Sequence, residues 1–141
     1  MEIVELYEKS HGRLCERVHQ KGVGYDLHSI GNEERFIEVK GISESWNTYT
    51  WQPLHHTEVK TLQNDPAHFF LYIVHFEIVK ANRTQEYLST AQHQLFVIPG
   101  RQLLTSFRVV PESFALKPIS RKSLSPFSVE NLVVHHPVED I

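Results

Sequence analysis

The sequence predicts an α/β fold in which a mixed, mostly antiparallel central sheet is flanked by helices. Three observations predict it. Apolar residues at helical spacing open the chain over residues 2–19, two runs that alternate in the period of a strand follow at 25–30 and 35–40, and a nearly continuous apolar run covers 69–79. With 141 residues, 40% of them hydrophobic, the chain can bury the core of one domain, so a single domain is expected over 1–141.

The first element is predicted as an amphipathic helix from Glu2 to about His19. Its apolar residues fall at three- and four-residue spacing, although Gly12 weakens the pattern. They are Ile3, Val4, Tyr7, His11, Leu14 and Val18. The segment 21–24 (KGVG) is expected to end this helix and to lead into the first strand.

The two alternating runs, YDLHSI and RFIEVK, are predicted to pair as an antiparallel hairpin, because the residues between them (GN) are typical of a turn. If the hairpin folds about Asn32, Asp26 and Glu38 are equidistant from the turn and lie opposite each other, with Cβ atoms about 5 Å apart. Lys40 then lies about 6.6 Å farther along the same face.

Two facing carboxylates repel each other unless a cation lies between them. Oxygen ligands that converge from two strands suit a hard divalent ion, Mg²⁺ or Mn²⁺. Lys40, at the end of its strand, is expected to reach solvent without burying its charge and to hold a phosphate and the attacking water. Asp26, Glu38 and Lys40 are therefore the candidate catalytic residues of a metal-dependent phosphodiesterase. The alternative is a solvated strand face that carries a Glu-Lys pair.

A loop, a strand, a helix and another strand are predicted after the hairpin. The short strand is expected near Thr48–Gln52, where a proline stops it, and the helix over about 53–62. Gln52 and Glu58 lie near that strand and in that helix, within possible reach of a metal-bound water or phosphate, but neither is assigned a role. The run 69–79 (FFLYIVHFEIV), rich in β-branched and aromatic residues, is predicted as a buried central strand.

The C-terminal part is predicted to add strands at Gln94–Ile98 and Ser113–Leu116 and a polar loop at Arg121–Ser128. Its charges are mostly positive, with five basic side chains against one acidic side chain between Arg101 and Val129, or +4. The basic residues, which are candidates for contact with a nucleic-acid backbone, are Arg101, Arg108, Lys117, Arg121 and Lys122. An ordinary solvated surface explains them equally well.

Charge and cysteine content narrow the class of protein. The net charge of −3 argues against a protein that coats nucleic acid through a broad positive field. Cys15 is the single cysteine, and the N-terminal MEIVELYEKS has charges where a signal peptide needs an apolar run. No stretch of the sequence reaches the roughly 20 apolar residues of a membrane span. A cytoplasmic setting without membrane contact is therefore expected.

The ten histidines do not predict a zinc site, because the sequence contains no HExxH, CxxC or His-x-His pattern. His28 shares a strand face with Asp26 and is the one histidine expected near the chemistry. Its alternative is a partly buried, hydrogen-bonded imidazole.

The hairpin that carries Asp26, Glu38 and Lys40 resembles the PD-(D/E)XK nuclease superfamily, the fold of many restriction and repair endonucleases. The predicted element order resembles its restriction-endonuclease-like αβββαβ core. The closer likeness is to the C-terminal domain of the plant protein NO VEIN, which resembles Mrr-type restriction nucleases. The matching motifs are Tyr25-Asp26, Glu38–Gly41 and Leu71–Val74. The likeness covers about 1–80, with 81–141 adding strands and a tail, and a tyrosine precedes Asp26 where the superfamily name has proline.

The resemblance implies a Mg²⁺- or Mn²⁺-dependent endonuclease that acts on DNA, or else on RNA, in defence, restriction or repair. It implies that Asp26, Glu38 and the backbone carbonyl of Val39 hold the metal, while Lys40 orients or helps to deprotonate the nucleophile. Glu8 resembles the helix carboxylate that some members use as an additional metal ligand, and its alternative is a surface carboxylate in the first turns of a helix.

The resemblance also implies partners. Members often lie at the end of larger ATPase or helicase chains, so such a partner or fused chain, or a second copy of the domain, is expected beside the DNA. The rival function is a catalytically silent interaction module that recruits a partner or binds nucleic-acid ends without cutting them.

Overall fold

The computed structural model describes residues 1–43, 52–80, 86–110, 115–118 and 125–129. Its helices are α1 (Glu2–Ser10), α2 (His56–Asn64) and α3 (Gly100–Ser106). Its strands are β1 (Arg13–Arg17), β2 (Leu27–Gly31), β3 (Glu34–Ile42), β4 (Gln52–Pro53), β5 (Phe69–Lys80), β6 (Glu86–Pro99), β7 (Phe107–Val110) and β8 (Ala115–Pro118). Short 3-10 turns lie at His19–Lys21 and Ser125–Phe127.

The main sheet has five strands in the order β1-β2-β3-β5-β6. The β3–β5 pair is parallel, whereas β1–β2, β2–β3 and β5–β6 are antiparallel. Strands β4, β8 and β7 form a separate three-stranded sheet. The prediction of an α/β fold with a mixed, mostly antiparallel sheet and flanking helices is confirmed. No helix among the described ranges is both long enough and apolar enough to cross a membrane.

The N-terminal helix is shorter than predicted. It ends at Ser10, and the residues that follow form the edge strand β1. The helical spacing failed as a guide beyond Gly12, whose φ of +79° is a left-handed conformation that ends a helix. Leu14, which the helical pattern placed on the buried stripe, instead projects from β1 with 70% of its surface exposed.

The hairpin register is the predicted one. Leu27 pairs with Ile37 and His28 with Phe36, as a turn centred on Asn32 requires. Asp26 lies one residue before β2, and its backbone N–H donates to the Ile37 carbonyl at 2.8 Å. One further step in this register sets Asp26 opposite Glu38.

Each face of the sheet has its own hydrophobic core, and successive residues of β5 contribute to alternate faces. The core on the α1 side contains Ile3, Val4, Leu27, Ile37, Phe70, Tyr72, Val74 and Leu95. The core on the α2 side contains Leu54, Val59, Leu62, Phe69, Leu71, Ile73, Phe96, Ile98, Leu103, Phe107 and Leu116. Strand β5 is therefore an internal strand whose residues 69–74 are covered on both faces, as its continuous apolar run predicted.

The short strand predicted near Thr48–Gln52 is described only at its end, where β4 covers Gln52–Pro53. Residues 48–51 lie outside the described ranges, and β4 pairs with β8 in the smaller sheet. The third strand before α2 in the main sheet is instead β1, so the order α1, β1, β2, β3, α2, β5 still reads αβββαβ. Helix α2 begins three residues later and ends two residues later than predicted. The prediction of a single domain over 1–141 stays a prediction.

The C-terminal predictions are met in part. The strand expected at Gln94–Ile98 is the end of the longer β6, whereas α3 and β7 were not predicted. Strand β8 begins at Ala115, and 113–114 lie outside the described ranges, as do 121–124 of the expected polar loop. The described end of that loop is a 3-10 turn followed by an isolated bridge from Ser128 to Phe96.

Candidate active site

Strand β3 and helix α2 bring the candidate residues together on one side of the sheet. Ile37 packs in the core on the α1 side, so its neighbour Glu38 projects to the opposite face, which α2 covers. Lys40, two residues along β3, projects to the same face as Glu38. Glu58 reaches this face from the first turn of α2.

Asp26 is held against β3 by its backbone and by its side chain. In addition to the bond from its own N–H to Ile37, its Oδ2 accepts a hydrogen bond from the Val39 N–H at 2.9 Å. The N–H and C=O of a strand residue point to the same neighbouring strand, so the Val39 carbonyl is directed to the Asp26 side of β3. The predicted ligand set of Asp26, Glu38 and the Val39 carbonyl is therefore compatible with this backbone.

Glu38 and Glu58 are buried together, with 4% and 6% of their surfaces exposed. The pKa of Glu38 is raised to about 9, chiefly by burial and then by a hydrogen bond with Glu58 and the negative charges of Glu58 and Asp26, against the opposing effect of Lys40. At neutral pH and without a bound cation, Glu38 therefore retains a proton. A buried carboxyl group with a strongly raised pKa beside other ionisable groups is a candidate for a functional site.

Lys40 lies between these carboxyls. Its Nζ is 3.4 Å from Glu38 Oε1 and 3.8 Å from Glu58 Oε2, and 19% of its side chain is exposed. Lys40 is half-buried and is therefore less open to solvent than expected, because α2 lies over this end of β3. Lys40 is instead the positive partner of two buried carboxyl groups.

Glu58 is the site residue that the sequence left without a role. It lies at the third position of α2, and its Oε2 accepts a hydrogen bond from the His55 N–H at 2.7 Å, which caps the helix. Gly24, which precedes the hairpin, also helps to position α2, because its backbone packs directly on Thr57 and Thr61 of that helix. The spacing His55-x-x-Glu58 before a helical run was the available signal, and it indicates a cap more readily than a catalytic group.

Glu8 does not join this site. It lies on the α1 side of the sheet with none of its surface exposed, where Arg13 donates to it from Nε at 2.8 Å and from Nη2 at 2.7 Å. The Tyr72 hydroxyl donates to it at 2.9 Å. Burial favours a raised pKa, but the hydrogen bonds from Arg13 and Tyr72 outweigh it and leave the pKa of Glu8 below its ordinary value. Both expectations for Glu8, metal ligand and surface carboxylate, were wrong, because β1 supplies a buried arginine partner.

The donor chemistry of the site fits a hard divalent ion. Asp26, Glu38, Glu58 and the Val39 carbonyl present only oxygen atoms, the ligands that Mg²⁺ and Mn²⁺ prefer. Within the ranges that the structure describes, no group of three or more His, Cys, Asp or Glu side chains is already arranged to enclose a metal ion. The proton on Glu38 and the ammonium of Lys40 supply the positive charge that a bound ion would otherwise bring.

The predicted nucleic-acid contacts are only partly covered by the described structure. Arg101 is exposed on α3, and Arg108 and Lys117 are register partners in the β7–β8 pair. Arg121 and Lys122 lie outside the described residues. Contact of these five residues with a phosphate backbone stays a prediction.

A comparison with protein families finds one matching family model. The family model described as "Protein NO VEIN, C-terminal" matches residues 1–88, a span that runs from α1 into β6 and includes Asp26, Glu38, Lys40 and Glu58. Searches of curated proteins and of solved structures find no significant match. The matched span is more than half of the chain, and the chain therefore belongs to the NO VEIN C-terminal domain family.

Proposed function

We propose that this domain is a Mg²⁺- or Mn²⁺-dependent nuclease that hydrolyses phosphodiester bonds in DNA, within the Mrr-like branch of the PD-(D/E)XK superfamily. The observation that supports it most is the cluster of Glu38, Glu58 and Lys40 beside Asp26. In this cluster the pKa of Glu38 is raised to about 9. Clusters of carboxylates with displaced pKa values are typical of catalytic and cation-binding sites.

In this proposal, Asp26, Glu38, Glu58 and the Val39 carbonyl hold the ion. The bound ion would supply charge stabilisation at the phosphate and a lowered pKa for the attacking water. Glu38 must lose its proton to become a ligand, so metal binding is expected to release protons near neutral pH. A cluster whose negative charge is neutralised by Lys40 alone would bind no metal ion and release no protons, so this measurement distinguishes it from a metal site.

Lys40 has two roles in the proposal. In the metal-free protein its ammonium stabilises the buried carboxyl groups. With a cation held by the carboxylates, Lys40 would be available to orient the nucleophile and to neutralise negative charge that develops on the phosphate.

The candidate from another class is a silent nuclease-like module that binds a partner or nucleic-acid ends. The ion pairs of Lys40 favour it, because they let the cluster exist without a metal, and the net charge of −3 favours a domain that depends on a partner for substrate capture. Proposed partners under either function are DNA, a second copy of the domain and an ATPase or helicase chain, in the cytoplasm.

The deciding experiment incubates plasmid and single-stranded DNA with the protein in Mg²⁺, in Mn²⁺ and in EDTA. Cleavage with either metal, absent in EDTA and reduced about a hundredfold or more in Glu38→Gln, is the expected result. Glu33→Gln is the matched control, because Glu33 lies in the hairpin turn with 46% of its side chain exposed and should leave cleavage unchanged. Binding of DNA without cleavage in every metal condition would establish the silent module instead.

A further inference from the structure

Four aromatic rings cluster on the α2 side of the sheet, directly beside the candidate active site. Tyr25 stacks on Phe36 with ring centroids 4.7 Å apart and an angle of 18° between the planes. His28 and His68 lie 5.5 Å and 5.7 Å from the Phe36 ring. We call these four residues the ring platform, with Phe36 at its centre.

The ring platform is open to solvent. Tyr25, His28 and Phe36 are half-buried and His68 is exposed. Beyond it, the same face of the sheet continues into Leu14 and Ile30, which are register partners across β1 and β2 with 70% and 55% of their surfaces exposed. An exposed aromatic and aliphatic surface on a sheet is characteristic of a binding site.

The ring platform is continuous with the carboxylate cluster. Phe36 precedes Glu38 by two residues on β3, so the two side chains project to the same face about 6.6 Å apart. Tyr25 directly precedes Asp26. A strand of nucleic acid whose phosphate lies at the cluster therefore has its neighbouring nucleotide over the rings.

The charges around the rings favour contact with bases and not with phosphates. The acidic residues at the edge of the platform each have a cationic or imidazole neighbour, with Glu16 Oε1 at 2.9 Å from Lys21 Nζ and Glu34 Oε2 at 3.3 Å from His28 Nε2. This surface therefore offers π-faces without an excess of positive charge. A duplex presents phosphates outward and hides its bases, whereas a single strand exposes the flat base surfaces that stack on aromatic side chains.

We propose that the ring platform stacks unpaired bases of a single-stranded nucleic acid adjacent to the bond that the Asp26–Glu38–Lys40 cluster acts on, an inference that rests on the proposed nuclease function. The preferred substrate is then a single strand, a frayed end or a flap. Sheets that carry exposed aromatic residues bind single strands in this way in other nucleic-acid-binding domains.

The test measures binding of fluorescein-labelled oligothymidine of about 15 nucleotides by fluorescence anisotropy in Ca²⁺, with a gel to show that the oligonucleotide stays intact. Phe36→Leu keeps an apolar side chain but removes the π-face, and it should weaken binding about tenfold, a loss typical of one stacked ring. Phe36→Trp should bind at least as tightly as the parent. Tyr7→Leu is the matched control, because Tyr7 packs against Tyr72 on the opposite side of the sheet and should leave binding unchanged.

The outcomes separate this inference from the proposed function. Equal affinity in the parent and Phe36→Leu overturns the ring platform, and so does a lowered melting temperature in Phe36→Leu with unchanged binding, which assigns the rings to folding. A binding defect in Phe36→Leu in a protein that cleaves nothing supports the platform and rejects the nuclease. Metal-dependent cleavage of single strands at the parental kcat/KM by Phe36→Leu rejects the platform and retains the nuclease.

Discussion

The carboxyl groups of Glu38 and Glu58 share one buried site, although Glu38 lies in the middle of a strand and Glu58 caps a helix that packs over it. Burial, together with the hydrogen bond and the charge of Glu58, raises the pKa of Glu38 to about 9. Lys40 Nζ lies within 4 Å of both carboxyl groups. Two buried carboxyl groups that share one lysine are a costly arrangement for folding alone, and several measurable properties follow from it.

The metal-free domain is expected to lose stability as the pH rises from about 5 to about 9. The pKa of Glu38 is raised from 4.5 in the unfolded chain to about 9 in the folded protein. Between these values the unfolded chain releases a proton that the folded protein keeps, so the free energy of unfolding falls by up to about 1.4 kcal/mol per pH unit. Melting temperatures in EDTA from pH 5.5 upward measure this slope.

Glu38→Gln should flatten the slope, because glutamine cannot titrate, whereas Glu33→Gln should preserve it. Glu8 does not affect this slope. Because the pKa of Glu8 is lowered in the folded protein, its contribution to the free energy of unfolding is lost only at pH values below the ordinary pKa of a glutamate. A slope that is identical in the parent and in Glu38→Gln would show that Glu38 ionises normally.

Lys40→Ala is expected to reduce cleavage about a hundredfold or more, the loss typical of one electrostatic catalytic group. It should also lower the free energy of unfolding in EDTA by about 1–3 kcal/mol, because it removes the cation beside two buried carboxyl groups. Saturating Mg²⁺ should restore much of that stability without restoring turnover. Lys9→Ala, which removes an exposed lysine from the last turn of α1 on the opposite side of the sheet, serves as the control for both assays.

Asp26→Asn should raise the melting temperature in EDTA, since it removes one negative charge near Glu38 and keeps an oxygen that can accept the Val39 hydrogen bond. Mg²⁺ or Mn²⁺ at a hundred times its Kd should stabilise the parent by about 2.7 kcal/mol and the variant much less. Asp65→Asn, in a half-buried aspartate that directly follows α2, should retain the full metal shift. Parallel melting curves for Asp26→Asn and the parent would make Asp26 an ordinary residue of the hairpin.

Glu8→Ala is expected to destabilise the fold by about 3–5 kcal/mol, because it leaves the Arg13 guanidinium buried without its carboxylate. Replacing both partners, as in Glu8→Leu with Arg13→Met, should recover a large part of that loss. Urea unfolding measures both variants. Arg17→Ala, which breaks an exposed ion pair with Glu5 on the same side of the sheet, should change stability little.

Gly24→Ala should be more harmful than Gly22→Ala, although both glycines have a left-handed backbone, with φ of +85° and +65°. A Cβ at Gly22 meets no atom within 4 Å, so only the backbone strain of about 1–2 kcal/mol is expected. A Cβ at Gly24 lies 2.5 Å from the Thr57 carbonyl oxygen and also meets Thr61, which adds about 1–3 kcal/mol. The added Cβ at Gly24 should push α2, with Glu58, away from the hairpin that carries Glu38. Gly24→Ala should therefore also reduce cleavage, whereas Gly22→Ala should not.

The sequence by itself determined the part of the site that lies within one hairpin. Alternation along a strand and a turn centred on Asn32 are local properties, and they suffice to set Asp26 opposite Glu38 and to put Lys40 on the same face. The continuous apolar run of β5 determined in the same way that this strand is covered on both faces.

The tertiary structure decided which elements cover those faces. Local periodicity does not report that α2 packs over β3, so neither the approach of Glu58 to Glu38 nor the ion pairs of Lys40 could be predicted from the sequence. The early end of α1 and the ion pair of Glu8 with Arg13 likewise depend on β1 pairing with β2 across the loop that follows it. Whether a carboxylate such as Glu8 or Glu38 binds a metal, takes part in catalysis or stabilises the fold depends on the residues that contact it from distant segments. Burial and pairing, and not residue type, determine its role.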